Sequence, residues 1–157
     1  MKALKYLSIS ILPLTVYFSF TNKGWVTFLP MITFFGLVPL LELFFSPNKE
    51  NFTKEEAQKE KENKLYTAIL YTTVPLQAFF LGWFFFAIQE KGLTNIDLFG
   101  RISAMGLMCG TIGINVGHEL GHRNNRFDEL LGEILLLTSL NTHFLPCLLY
   151  TSPSPRD

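Results

Sequence analysis

Four apolar runs, each close to the length of a bilayer span, constrain this chain more than any other feature. They cover about residues 4–20, 25–45, 65–88 and 98–116, and most of the charge lies between or beyond them. A hydrocarbon core about 30 Å thick needs about 20 apolar helical residues, and only the first run falls a little short. Inside lipid no water satisfies backbone N–H and C=O groups, so each run is expected to be helical. The expected fold class is an all-α membrane protein: a transmembrane helix bundle with about four spans present and a partial fifth helical element. That fifth helix is placed at about 128–142, where the apolar stretch Leu130–Leu140 is too short to cross.

The segments between the runs refine this outline. Lys2 and Lys5 precede the first run as in a signal peptide, yet no small-x-small cleavage site follows Phe20. Thr21-Asn22-Lys23-Gly24 leads straight into the second run, so the pair reads as a hairpin with a tight Asn-Lys-Gly turn. Residues 47–64, PNKENFTKEEAQKEKENK, carry both charge signs densely and read as a loop with a short polar helix laced by pairs such as Glu55–Lys59. The third run contains Pro75 and an aromatic block. The fourth is rich in small residues (Gly100, Ser103, Ala104, Gly106, Gly110, Gly113), which let helices approach closely in a bilayer. Cys109 and Cys147 have neither a disulfide-framework nor a zinc-knuckle spacing, and Cys109 reads as a small buried hydrophobe. The formal net charge is zero and no basic stripe alternates with aromatics, which argues against a nucleic-acid partner.

Lysine and arginine near span ends set the orientation. One side collects Lys2, Lys5, Lys49, Lys54, Lys59, Lys61, Lys64, Arg123 and Arg126; the other collects Lys23 and Lys91, with Arg101 just inside the fourth span. The first side is expected to be cytoplasmic, so the N-terminus and the segment after the fourth run both face the cytoplasm.

That segment holds the chemistry. Residues 115–126 read NVGHELGHRNNR, and His118 and His122 stand four apart, one turn apart on the same helix face. Two imidazoles at that spacing can bind one metal ion. Glu119 beside them is placed to act as a general base or to accept a hydrogen bond from a ligand. The motif lies where an apolar helix meets the cytoplasmic side, and polar, ionisable groups at membrane depth are costly and tend to mark function. Imidazole suits zinc and iron alike. A zinc metalloprotease with Glu119 as base and a histidine-rich di-iron site both fit the spacing.

The longer segment NVGHELGHRNNRFDELLGEILLLTSLNTHF resembles the first histidine box of the integral-membrane alkane 1-monooxygenases, a family grouped with membrane fatty-acid desaturases and xylene monooxygenases. Asn115, the HELGHR box and His143-Phe144 carry the resemblance in order and approximate spacing. Upstream, GLVPLLELFF with Glu42 resembles that family's second span, and the resemblance covers about Leu4 to Phe144. It implies a membrane non-haem di-iron monooxygenase that hydroxylates the terminal carbon of alkanes with O2. Two iron ions would be the cofactor, with His118 and His122 as metal ligands and Asn115 and Glu119 next to them. His143 would neighbour the site or be an ordinary interfacial histidine. Glu42 would hydrogen-bond a ligand histidine or reach to the cytoplasmic interface. The implied partners are rubredoxin, rubredoxin reductase, membrane lipid and a hydrophobic alkane, in a bacterial inner (plasma) membrane. A desaturase, a xylene monooxygenase and the zinc protease stay open as alternatives, as does a metal-free membrane component.

After Phe144 the resemblance stops. The family continues into a second box of the form Glu-His-Asn-x-Gly-His-His, whereas this chain reads LPCLLYTSPSPRD and has no histidine beyond His118, His122 and His143. The tail at 145–157 resembles translated sequencing-adapter read-through. The expectation is an N-terminal fragment of the domain, lacking its remaining iron ligands and inactive by itself.

Overall fold

The computed structural model describes residues 2–44, 64–123 and 125–141. Among these it is helical, without strands. The elements are α1 (Lys2–Thr21), a 3-10 turn (Gly24–Phe28), α2 (Leu29–Met31), a π-helical stretch (Ile32–Leu37), α3 (Val38–Phe44), α4 (Lys64–Ala87), α5 (Asn95–Met108), a second π-helical stretch (Cys109–Ile114), α6 (Asn115–Gly121) and α7 (Arg126–Thr138). Each of the four apolar runs is therefore helical over nearly all of its described residues, as hydropathy requires. Gly24–Leu41 and Tyr66–Ala87 are long and apolar enough to cross a membrane, and Ile11–Thr21 is a shorter apolar helix. The expected polar helix within 47–64 lies outside the described residues, as does the tail after Asn141.

The chain divides into two compact units, Met1–Lys61 with Phe80–Met108 and Glu62–Phe79 with Cys109–Asp157. In the first unit the expected hairpin turn is present. Gly24 sits at φ 71, the left-handed region open to glycine. Its N–H donates to Asp97, Thr27 Oγ1 donates to the Gly24 carbonyl at 2.7 Å, and Ser19 Oγ donates to the Thr27 carbonyl at 2.6 Å. Tyr17 and Phe20 of α1 meet Trp83 at ring distances of 5.5 and 5.6 Å, and Phe20 also meets Phe80 and Phe84.

The second run departs from a regular helix, and its prolines explain why. Pro39 has no N–H to offer Phe35, four residues back. Just before it the ladder widens: the Val38 N–H reaches the Thr33 carbonyl, five residues back. Ile32, Phe35, Leu37, Leu40, Leu43 and Phe44 are all exposed. An apolar surface of that kind suits lipid better than water.

Arg101 is the exception in the fourth run. It is fully buried, and its Nη1 donates to the Ala87 carbonyl at 2.6 Å and lies 2.8 Å from Glu90 Oε2, while Nη2 donates to the Asn22 carbonyl at 3.0 Å. Lys23 Nζ joins the same Glu90 at 3.1 Å. The guanidinium thus satisfies carbonyls at the two helix ends nearest it, an arrangement that burial of a charge demands. Of the small residues in this run, Gly100 stands against Thr27 with no room for a Cβ, whereas Gly106 and Gly110 face open space.

In the second unit α7 begins two residues before its expected start, because Asn125 caps it: Asn125 Oδ1 accepts from the Phe127 N–H at 3.1 Å. It also ends earlier than expected, at Thr138 rather than 142. Leu140 takes a left-handed φ of 54, and the Asn141 N–H returns to the Leu136 carbonyl at 2.9 Å. That return bond closes the helix although no glycine signals it.

Candidate metal centre

The site is built on α6 and the corner that follows it. Gly117, Leu120 and Gly121 are buried on the side of α6 that meets α7. A Cβ on Gly132 of α7 would lie 2.8 Å from the Gly117 carbonyl and 3.1 Å from the Gly121 nitrogen, and one on Gly117 would lie 3.2 Å from the Gly132 carbonyl. The two helix backbones therefore touch through glycines. Turned by one residue from that seam are His118, half-buried, and His122, exposed.

The two imidazoles meet as the i,i+4 spacing predicts. Their Nε2 atoms are 3.0 Å apart, with ring centroids 4.4 Å apart and planes at 86°. Nitrogens 3.0 Å apart are within hydrogen-bond reach of each other, and the same closeness lets both imidazoles reach one ion through bonds of about 2.0–2.1 Å. The pair fits a shared ion. Burial lowers the pKa of His118, the neighbouring His122 lowers it further, and the Glu119 charge opposes both. A lowered pKa favours the neutral imidazole, the form that binds metal.

Among the described residues no third His, Cys, Asp or Glu joins the pair at metal-holding distance. Glu119 is half-buried next to His118, and Asn115 is exposed at the start of α6. Glu42 is placed on α3, with its side chain outside the described residues. His143 lies outside them altogether. Cys109, expected as a buried hydrophobe, is half-buried at the start of the second π-helical stretch, where Gln77 Nε2 donates to its sulfur at 3.4 Å.

Sequence reasoning missed the polar cluster beside the box. Arg123 Nη1 donates to Thr67 Oγ1 at 3.1 Å and stands 3.9 Å from Asp128 Oδ2. The guanidinium carbon is 5.9 Å from the centroid of the Tyr66 ring. Asp128 is buried and accepts a hydrogen bond from the Tyr71 hydroxyl on Oδ1. The signal available was small: Thr67 and Tyr71 are four apart on α4, and Asp128 is an acid just inside an apolar helix.

No family model matches the chain. It is 27% identical over 125 residues to the alkane 1-monooxygenase of Pseudomonas putida, covering 78% of this chain and 31% of that protein. To alkane 1-monooxygenase 1 of Pseudomonas aeruginosa it is 34% identical over 110 residues, 68% of this chain and 28% of that protein. To alkane 1-monooxygenase 1 of Alcanivorax borkumensis it is 25% identical over 136 residues, 84% of this chain and 33% of that protein. The chain thus spans about a third of the length of the curated relatives it matches.

Proposed function

The chain is related by sequence to the alkane 1-monooxygenases, and on that premise we propose that it is part of a membrane hydroxylase acting on the terminal carbon of an alkane. The cofactor is two non-haem iron ions, to which His118 and His122 contribute imidazoles. Bound iron supplies the activation of O2. The single observation that carries the reading is the 3.0 Å separation of the two Nε2 atoms, close enough for both imidazoles to bind one ion. Two imidazoles do not complete such a site, so further ligands come from other parts of the protein.

What this chain contributes is binding and environment. Burial favours the neutral form of His118, the form that binds metal. Helices with exposed apolar surface, such as Phe35, Leu40 and Phe86, suit a membrane, where an alkane dissolves. Electrons arrive from rubredoxin and rubredoxin reductase on the cytoplasmic side of a bacterial inner membrane, a reading supported by the lysine and arginine excess to which Arg123 and Arg126 belong. The test uses protein carrying this sequence at the full length of its relatives, in membranes with rubredoxin, its reductase and a medium-length alkane. The 1-alkanol and bound iron are expected, and His118→Ala should abolish iron loading. Normal iron content and hydroxylation in that variant would remove the assignment. Zinc with peptide cleavage would move it to a metalloprotease, and double bonds formed in fatty acids to a desaturase.

A further inference from the structure

His122 is the weaker half of the pair. His118 sits within α6, but His122 is the residue on which that helix stops, at φ −84 and ψ −4, and it is exposed. Its N–H donates to the His118 carbonyl at 3.2 Å. Helix ends fray, so an imidazole placed there needs a second anchor to stay 3.0 Å from its neighbour.

The adjacent residue supplies one. Arg123 reaches away from the box to two other helices at once: Thr67 on α4, at 3.1 Å, and Asp128 on α7, at 3.9 Å. Asp128 is itself held by the Tyr71 hydroxyl from α4. The seam between α6 and α7 is already made by Gly117, Gly132, Leu120, Leu135 and Leu136. A nearly buried charge pair adds little net stability to such a seam, because desolvation offsets the attraction. What it adds is a fixed position for the chain immediately after His122.

We propose that Asp128 and Arg123 are positioning residues that hold the end of α6 so that His122 stays in register with His118 as a two-imidazole metal site. The proposal rests on the metal reading above. It adds to that reading a charged clasp that ties the corner after the histidine box to α4 and α7.

The test needs no turnover. The chain, purified in detergent, is titrated with copper(II)–nitrilotriacetate, a probe whose free coordination sites suit two adjacent imidazoles, and its electron paramagnetic resonance spectrum reports how many nitrogens bind. The wild-type chain is expected to show two imidazoles. Asp128→Ala is expected to weaken binding by about 10-fold or more, within the range for partners that orient metal ligands, and to give a one-imidazole spectrum. Asp128→Glu should restore the two-nitrogen spectrum. Tyr71→Phe, which removes only the hydroxyl on Asp128, should weaken binding in the same direction with helical content unchanged, and it serves if Asp128→Ala does not fold. Phe86→Ala, at an exposed position about four turns further along α4 than Tyr71, should leave the spectrum as in wild type. Wild-type affinity and a two-nitrogen spectrum in both Asp128→Ala and Tyr71→Phe would overturn the clasp alone. Wild-type binding no tighter than in the His118→Ala, His122→Ala double variant would overturn the metal reading, and the clasp with it.

Discussion

Gly117 and Gly121 flank the histidines in sequence, but they serve a different face of α6. They form a row one residue round from His118 and His122, and Gly132 of α7 lies against them with its backbone. Two rows at i,i+4 on one short helix thus divide the labour: glycines admit α7, and the imidazoles meet each other one residue round from that seam. The same reasoning separates glycines that matter from those that do not. Gly132→Ala forces a Cβ onto the Gly117 carbonyl and is expected to destabilise by about 1–3 kcal/mol, as overpacking does. Gly106→Ala enters open space in α5 and is expected to be neutral or stabilising by up to about 1 kcal/mol, since alanine favours helix over glycine. Thermal unfolding in detergent measures both; equal melting temperatures for the two variants would refute the close contact. The box itself was legible at this scale, because i,i+4 spacing is a local property of a helix. The Gly117–Gly132 contact was not, since it depends on which helix comes to lie against α6.

Among the elements, the start of α5 shows how one carboxylate ties local and distant structure together. Thr94 Oγ1 accepts from the Asp97 N–H at 3.2 Å, and Asp97 Oδ2 accepts from the Thr94 N–H at 2.9 Å, a reciprocal cap on the helix start. The other oxygen of Asp97 takes the Gly24 N–H from the hairpin turn. These donors, led by the Thr94 and Gly24 backbones and then the Thr94 hydroxyl, lower the Asp97 pKa from 3.8 to about 2, with a smaller contribution from the Arg101 charge against the opposing effect of burial. A carboxylate with a lowered native pKa contributes stability that is complete above its unfolded value and is lost as pH falls through the native one. The Asp97 contribution should therefore hold above about pH 4 and fade toward about pH 2. Melting temperature against pH, wild type beside Asp97→Asn, reads it out: the gap between the two should narrow across that window. A gap independent of pH would show that Asp97 is not held as a carboxylate. The capping pattern Thr94-x-x-Asp97 can be read in sequence, but its bond to Gly24, 73 residues away, cannot.

For the molecule as a whole the question is how often it crosses the membrane. Among the described residues two stretches, Gly24–Leu41 and Tyr66–Ala87, meet the length and apolarity of a span, whereas the hydropathy and charge pattern of the sequence suggests four. Activity of an alkaline phosphatase fusion, which requires export, separates the two. With four crossings, fusions after Lys59 and after Arg126 are both silent and one at Lys91 is active, as the positive-inside bias requires. With two crossings, the Lys91 and Arg126 fusions report the same side and the Lys59 fusion the other.

By itself the sequence determined the helical class, the place of each apolar helix, the Asn22–Gly24 turn and the meeting of His118 with His122. Each follows from a local rule: hydropathy over about 20 residues, a glycine free to take positive φ, or one turn of helix. Only the tertiary structure decided the rest: the burial of Arg101 against Ala87, Asn22 and Glu90, the glycine seam of α6 and α7, and the reach of Arg123 and Asp128 to Thr67 and Tyr71. Partners in those contacts come from separate helices, and no single stretch of sequence states which helix will lie beside which. The histidine pair is therefore written in residues 118–122, while the contacts that flank it depend on packing across the fold.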